Sequence, residues 1–285
     1  MKYAIVTGAN VGLGLETVKG LVEENFHVIL ACRSEEKAQV AITEIRVKTP
    51  DAQLDFIKLD LNDLSSVKSF AEEYSAKFSH LDLLVNNAGI MMPPFSLTQN
   101  GFESQFGVNY LSHFALTGLL FDSLKKSKSA RVISLASLAH KWGDIYFQDL
   151  NFRGKYDKKK AYGQSKLACL MFAYEFDRRL KEKGINILSI ASHPGVSSTN
   201  LGRFMPKFMS FAMGLISQSS KGGVKPTLYG ALNSSLVGGE YIGPSGLGEM
   251  KGEAVIVDSN NISKDLDKAK KLWEVSEELT GVSFL

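Results

Sequence analysis

Tyr3-Ala4-Ile5-Val6-Thr7-Gly8-Ala9-Asn10-Val11-Gly12-Leu13-Gly14 is the stretch on which the fold turns. Tyr3–Thr7 reads as a buried strand, and glycines join it to a helical pattern running from about Gly12 to Glu24. Such a turn brings bare backbone N–H groups and the positive end of a helix up to a pyrophosphate. Gly8 permits the tight turn, Gly12 the close approach of phosphate, and Gly14 the packing of helix on sheet. Many glycines only make turns. Placement at the head of a strand–helix rhythm is what points these to a dinucleotide.

The rhythm continues outward. Strand-like runs at His27–Ala31, Leu54–Leu59, Leu81–Val85, Arg131–Ala136 and Ile185–Ala191 alternate with helical patterns. Those patterns cover Glu35–Lys48, a helix opening near Asp63, Phe102–Lys125 and the region around Tyr162–Lys183. Strands this apolar cannot face water, so both faces need cover. The pattern predicts an α/β fold, a Rossmann-type doubly wound parallel sheet with helices on both faces. No Pro-, Ser- or Gly-rich linker divides the chain, which predicts one domain over 1–285. Two segments break the rhythm. Leu138–Lys160 reads as a long irregular connection, and the greasy Asn200–Ser220 stretch is expected to form a substrate flap.

Composition narrows the partners. A formal net charge of +3 over 285 residues gives no argument for nucleic acid or a membrane surface. The lysine runs Lys125-Lys126-Ser127-Lys128 and Lys158-Lys159-Lys160 read as solvated surface. Cys32 and Cys169 form no CxxC pair, and the five histidines lack ligand spacing, so no disulfide framework and no metal site are expected. Met1-Lys2 runs straight into the first strand, and no apolar run reaches the ~20 residues of a membrane span. The expected location is cytoplasmic.

Chemistry is read at two further places. The second strand ends in Leu30-Ala31-Cys32-Arg33-Ser34. A carboxylate there would accept from the adenosine ribose, whereas an arginine meets a 2′-phosphate. Arg33 therefore favours NADP(H) over NAD(H). Farther on, Tyr162-Gly163-Gln164-Ser165-Lys166 sets a phenol and an ammonium at i,i+4 on one helical face. Tyrosine is a weak acid at neutral pH, and a neighbouring ammonium stabilises its phenolate. The spacing is common by accident on helices; the glycine turn is what gives it meaning.

Taken together, the chain resembles the short-chain dehydrogenase/reductase family over nearly its whole length. The family's TGxxxGxG is Thr7–Gly14, its NNAG is Asn86-Asn87-Ala88-Gly89, and its YxxxK is Tyr162–Lys166. Asn109, Ser137 and Pro194-Gly195-Val196 with Thr199 match the helix asparagine, the strand-end serine and the PG motif. Ala31-Cys32-Arg33, Asn109–Phe114 and His193-Pro194-Gly195 are similar to the retinol dehydrogenase and NADPH carbonyl reductase-like branch.

The resemblance implies roles. Tyr162 is the acid–base group, Lys166 assists it and holds the nicotinamide ribose, and Ser137 donates to the substrate oxygen. Asn109 keeps a water beside Lys166. Cofactor contacts are implied for Gly8, Asn10, Val11, Gly12, Leu13, Gly14, Arg33, Ser34, Asp60, Leu61, Asn87, Ala88, Gly89, Tyr162, Lys166, Pro194, Gly195, Val196 and Thr199. Asp60 would touch adenine and Thr199 the carboxamide. His113 reads as structural, His140 as near the site entrance without a catalytic part, and Met91–Phe95 as pocket lining or a packed loop.

The implied reaction moves a hydride between nicotinamide and the carbonyl or alcohol of a small to medium apolar substrate. Membrane-bound retinol dehydrogenases carry an N-terminal anchor not seen here, which speaks against retinoid as the natural substrate. The 24 residues between Ser137 and Tyr162 exceed the spacing of the tetrameric branch, favouring a monomer or homodimer. Two readings compete: a non-enzymatic NADP(H)-binding regulator, and a carbon–carbon double-bond reductase like the light-dependent protochlorophyllide reductases.

Overall fold

Successive residues of a strand point to opposite faces, and here both faces are apolar. In β1 (Lys2–Thr7), Ile5 joins one core while Ala4 and Val6 join the other. The same division holds in β2 (Phe26–Cys32), where Ile29 opposes Val28 and Leu30. It recurs in β4 (Leu83–Asn86) with Leu84 against Leu83 and Val85, and in β5 (Ala130–Leu135) with Val132 against Ile133. The computed structural model describes residues 1–196 and 219–285.

The remaining strands are β3 (Leu54–Lys58), β6 (Ile187–Ser192), β7 (Tyr241–Pro244) and β8 (Ala254–Ile256). They form one eight-stranded sheet in the order β3-β2-β1-β4-β5-β6-β7-β8. Helices α1 (Gly12–Glu23), α2 (Glu35–Lys48) and α8 (Lys225–Leu232) line one face. The other is covered by α3 (Leu64–Lys77), the helical run over 104–125, α7 (Lys158–Glu182) and α9 (Leu266–Thr280). Strand order reverses between β1 and β4, and a parallel sheet opens its ligand crevice at the carboxyl ends of such a pair. The doubly wound expectation is met.

Three expectations need correction. The sheet is not parallel throughout, because β8 runs antiparallel to β7 with Ile242 opposite Ile256. The expected Phe102–Lys125 helix is broken into α4 (Ser104–Phe106), a π-helical turn (Gly107–Leu111), α5 (Ser112–Leu119) and α6 (Phe121–Lys125). Within Leu138–Lys160, Leu138–Trp142 winds into a 3-10 helix, and α7 begins at Lys158, capped by Asp157. The expected flap over Asn200–Ser220 lies outside the described residues apart from its last two positions. Among the described residues no helix is long and apolar enough to cross a membrane.

Candidate active site

The cradle at the end of β1 is made by backbone. Gly8 and Gly12 have φ of +66° and +57°, a region that favours glycine. A Cβ built on Gly14 would lie 2.2 Å from the Gly8 carbonyl oxygen, so only glycine lets α1 start here. The first turn of α1 is also unlike that of its neighbours. Ser34, Asp63, Asp157 and Asp265 cap α2, α3, α7 and α9 with side-chain oxygens. Val11, extended and partly exposed, gives α1 no such cap. Four N–H groups of a helix start lack intrahelical partners, and a pyrophosphate meets that need. The cradle thus fits a dinucleotide, with Asn10 and Leu13 flanking its turn.

Thr7 ties the two strands of the crevice together. Its Oγ1 accepts from the backbone N–H groups of Asn87 and Ala88, each at 2.9 Å, and lies 2.9 Å from His113 Nε2. Asn87 returns a bond from Nδ2 to the Thr7 carbonyl at 2.7 Å. His113 Nδ1 is 2.9 Å from the Asn109 carbonyl, which assigns the proton to Nδ1 and leaves Nε2 to accept from Thr7. Complete burial pushes the imidazole down to about 4, so it is neutral. It is a strut between strand end and helix, in keeping with a structural role.

The π-helical turn sets Asn109. Its Oδ1 accepts from Ile90 N at 2.8 Å, and Nδ2 donates to the Ile90 carbonyl and to Ser165 Oγ, each at 3.0 Å. The Asn109 carbonyl also accepts from Cys169 Sγ at 3.2 Å. Burial raises both thiols, Cys32 at the β2 end to about 11. Lys166 Nζ donates to the Leu135 carbonyl at 2.9 Å, two residues before Ser137. A Cβ on Gly89 would lie 3.1 Å from Asn109 Oδ1 and 3.7 Å from Lys166 Nζ. Four segments distant in sequence therefore meet: the Gly89 loop, the Asn109 turn, the Ser137 strand end and the α7 face carrying buried Tyr162.

The sequence profile of the short chain dehydrogenase family matches residues 2–208. The chain belongs to that family. A mouse protein, retinol dehydrogenase 13, is 41% identical over 293 residues, covering 99% of this chain and 84% of its own length. The Brassica napus short-chain dehydrogenase TIC 32 B, chloroplastic, is 36% identical, covering 97% of this chain and 88% of itself. The solved structure of an uncharacterized protein from Mycobacterium paratuberculosis superposes with TM-score 0.83 and 38% identity, covering 100% of this chain and 95% of that one.

As a short chain dehydrogenase, the protein is of an oxidoreductase family that binds nicotinamide cofactors. Other site positions follow the carboxyl edge of the sheet. Arg33 is exposed just past β2, with no carboxylate partner among the described residues, and Ser34 accepts from Lys37 N at 3.3 Å. Asp60 stands past β3, its Oδ1 taking the Asn62 N–H at 3.0 Å, with Leu61 buried beside it. Past β6, Gly195 has φ +65°, and a Cβ there would meet the Met250 carbonyl at 2.3 Å. Val196 N donates to that same carbonyl at 2.9 Å. Pro194 lies between them and His193; Thr199 is outside the described residues.

A second network escaped the sequence reading. Fully buried His193 donates from Nε2 to Glu249 Oε2 at 2.9 Å, and Lys141 Nζ donates to Glu249 Oε1 at 2.8 Å. His193 Nδ1 accepts from Gly195 N at 3.2 Å. His140, next to Lys141, lies with Nδ1 2.7 Å from the Ser137 carbonyl. One carboxylate thus fastens the turn after Ser137 to the turn containing Pro194. The hydrogen bond from His193, aided by Lys141, holds Glu249 down at about 2. Glu249 has φ +57°, a rare conformation for a glutamate and so a mark of structural constraint. No local pattern in Gly246-Leu247-Gly248-Glu249 signals this partnership.

Proposed function

We propose that the protein is an NADP(H)-dependent oxidoreductase acting between a carbonyl and the corresponding alcohol in a small to medium apolar substrate. The observation that carries the reading is the cluster at Gly89, where Asn109 and Lys166 converge one helical turn from Tyr162. When bound, the nicotinamide supplies or takes up the hydride.

The rest is done by side chains. Tyr162 gives a proton to the carbonyl oxygen in reduction and takes it from the hydroxyl in oxidation. Lys166, one turn on, balances the charge that Tyr162 holds after proton loss, and its anchor at Leu135 fixes where that charge sits. Ser137 Oγ accepts from Ala139 N at 3.2 Å, which leaves its O–H to donate to the substrate oxygen as charge develops there. Asn109, saturated by Ile90 and Ser165, holds the relay geometry around Lys166. Relatives named retinol dehydrogenase act by name on an alcohol, which supports this chemistry. Exposed Arg33 at the β2 end, with no carboxylate partner among the described residues, supports NADP(H).

Tyr162→Phe tests the reading. Turnover of aliphatic carbonyls should fall about 10²–10⁴-fold while NADPH affinity, read by fluorescence titration, stays within about twofold. Undiminished turnover would refute it. Arg33→Ala should raise the KM for NADPH about tenfold and leave that for NADH nearly unchanged; equal effects on both would remove the cofactor preference.

A further inference from the structure

A cavity of about 880 Å³ opens between the loop after Gly89 and the Ser137–Tyr162 connection, within the size range of small-molecule sites. Tyr146, Phe152 and Tyr156 line it from one side, Met92 and Pro93 from the other. Phe152 meets Tyr146 and Tyr156 edge-on, at 5.3 and 6.4 Å between ring centroids. These walls are held by buried polar groups. Gln105 accepts from Met92 N at 2.7 Å and donates to Tyr156 Oη at 2.9 Å and the Lys158 carbonyl at 3.0 Å. Tyr156 in turn donates to the buried Glu103 carboxylate at 3.0 Å.

The cavity also adjoins the proposed catalytic face. Gln164, two residues past Tyr162, accepts from Tyr146 N at 3.0 Å and donates to the Leu150 carbonyl at 2.9 Å. Lys158, on the cavity wall, is at i−4 from Tyr162 and so shares its helical face. Two lining residues, Met92 and Phe152, have φ of +51° and +49°. Bulky side chains in that region persist only where the surroundings over-determine them, and such strain gathers at ligand sites.

The charge at the rim is unusual for an apolar site. Lys155, Lys158 and Lys160 line the cavity, and none has a carboxylate partner among the described residues. The two acids there are turned to backbone. Asp149 accepts from Arg153 N and Gly154 N, and Asp157 from Lys159 N and Lys160 N. Of the run Lys158-Lys159-Lys160, the middle residue alone leaves the cavity, its Nζ 5.2 Å from the Trp142 ring centre. The rim thus carries three exposed ammonium groups and two carboxylates, a balance of one positive charge.

We infer that this cavity is a substrate-selecting site for carbonyl compounds that carry an anionic group at the far end of an apolar body, held by Lys155, Lys158 and Lys160. The inference rests on the oxidoreductase reading above and narrows its substrate class. The apolar body lies against the aromatic wall, and the terminal carboxylate or phosphate meets the lysine rim. Tyr162 follows Lys158 by one turn along α7.

The test compares azelaic semialdehyde, its methyl ester and nonanal as substrates with NADPH. The acid should show a kcat/KM about tenfold above its ester at low ionic strength, and the advantage should shrink as salt screens the rim. In the doubly substituted Lys155→Glu, Lys158→Glu protein the ratio of acid to ester should fall to one or below. Both lysines are exposed, so the substitutions leave the core intact. Nonanoate binding, measured by calorimetry without cofactor, should weaken in parallel. Turnover of nonanal with no preference for the acid overturns the inference and leaves the oxidoreductase reading standing. A preference that survives both charge reversals also overturns it. A carbonyl phosphate tested beside the semialdehyde distinguishes which anion the rim favours.

Discussion

At the end of β1 the protein fixes a binding surface with its backbone, whereas beyond β5 it does so with side chains. The first surface needs Gly8, Gly12, Gly14 and one hydroxyl, that of Thr7. The second needs Gln105, Tyr156 and Gln164, and the neighbouring clasp needs His193 and Glu249, 56 positions apart. A backbone cradle serves a cofactor part that never changes, and tolerates almost no substitution. A side-chain wall can be redrawn residue by residue while the sheet beneath it stays as it is.

The contrast can be broken first at Gly14. Gly14→Ala forces a methyl group into the Gly8 carbonyl and should cost about 3 kcal/mol in urea unfolding, along with most NADPH affinity. A small effect would mean that the cradle yields. Acid should act next. His113 has a folded value of about 4 against 6.5 when free, because burial disfavours its charged form. The folded value is the lower one, so its neutral form stabilises fully above pH 6.5 and the contribution declines as pH falls toward 4. Loss should approach about 3 kcal/mol across that window, read as the shift in urea midpoint with pH. Glu249 follows in a lower window. Its carboxylate is depressed from 4.5 to about 2, so its contribution is present above pH 4.5 and lost on acidifying through 2.

Glu249→Gln keeps the shape of the clasp and removes its charge. About 2 kcal/mol of stability should go, since bonds to a charged group run above the neutral mean. KM should rise more than kcat falls, because the clasp positions the turns flanking the site. Equal loss in both would place its effect on chemistry instead. Smallest is Lys159→Ala on the exposed face, expected to change stability by less than about 0.5 kcal/mol. A larger change there would blur the distinction drawn among the three adjacent lysines.

Legibility in the sequence followed the same division. The β1 cradle could be read because its determinants lie within eight residues and act through φ and close approach, as did the alternating strands β1 to β6. Tyr162 and Lys166 could be read because a helix fixes their relation at i,i+4. The π-helical turn at Asn109 could not, since its apolar pattern Gly107–Leu111 looks like ordinary helix. Strands β7 and β8 went unread because they are short: β7, which carries Gly243 and Pro244, gains its place by pairing with β6, and β8 by pairing with β7 at the edge. His193 stood in the sequence only as part of His193-Pro194-Gly195, and nothing there marked Glu249 as its partner until folding joined them.

Burial of both thiols has a practical consequence. Thiolate is the reactive form, and Cys32 and Cys169 are kept protonated in separate parts of the molecule, beside the arginine strand end and on the long Tyr-bearing helix. An alkylating reagent will therefore mark each only when its own neighbourhood opens. Pulsed labelling read by mass would time the opening of the nucleotide half and of the reactive-helix half independently, giving this molecule two clocks without any engineered probe.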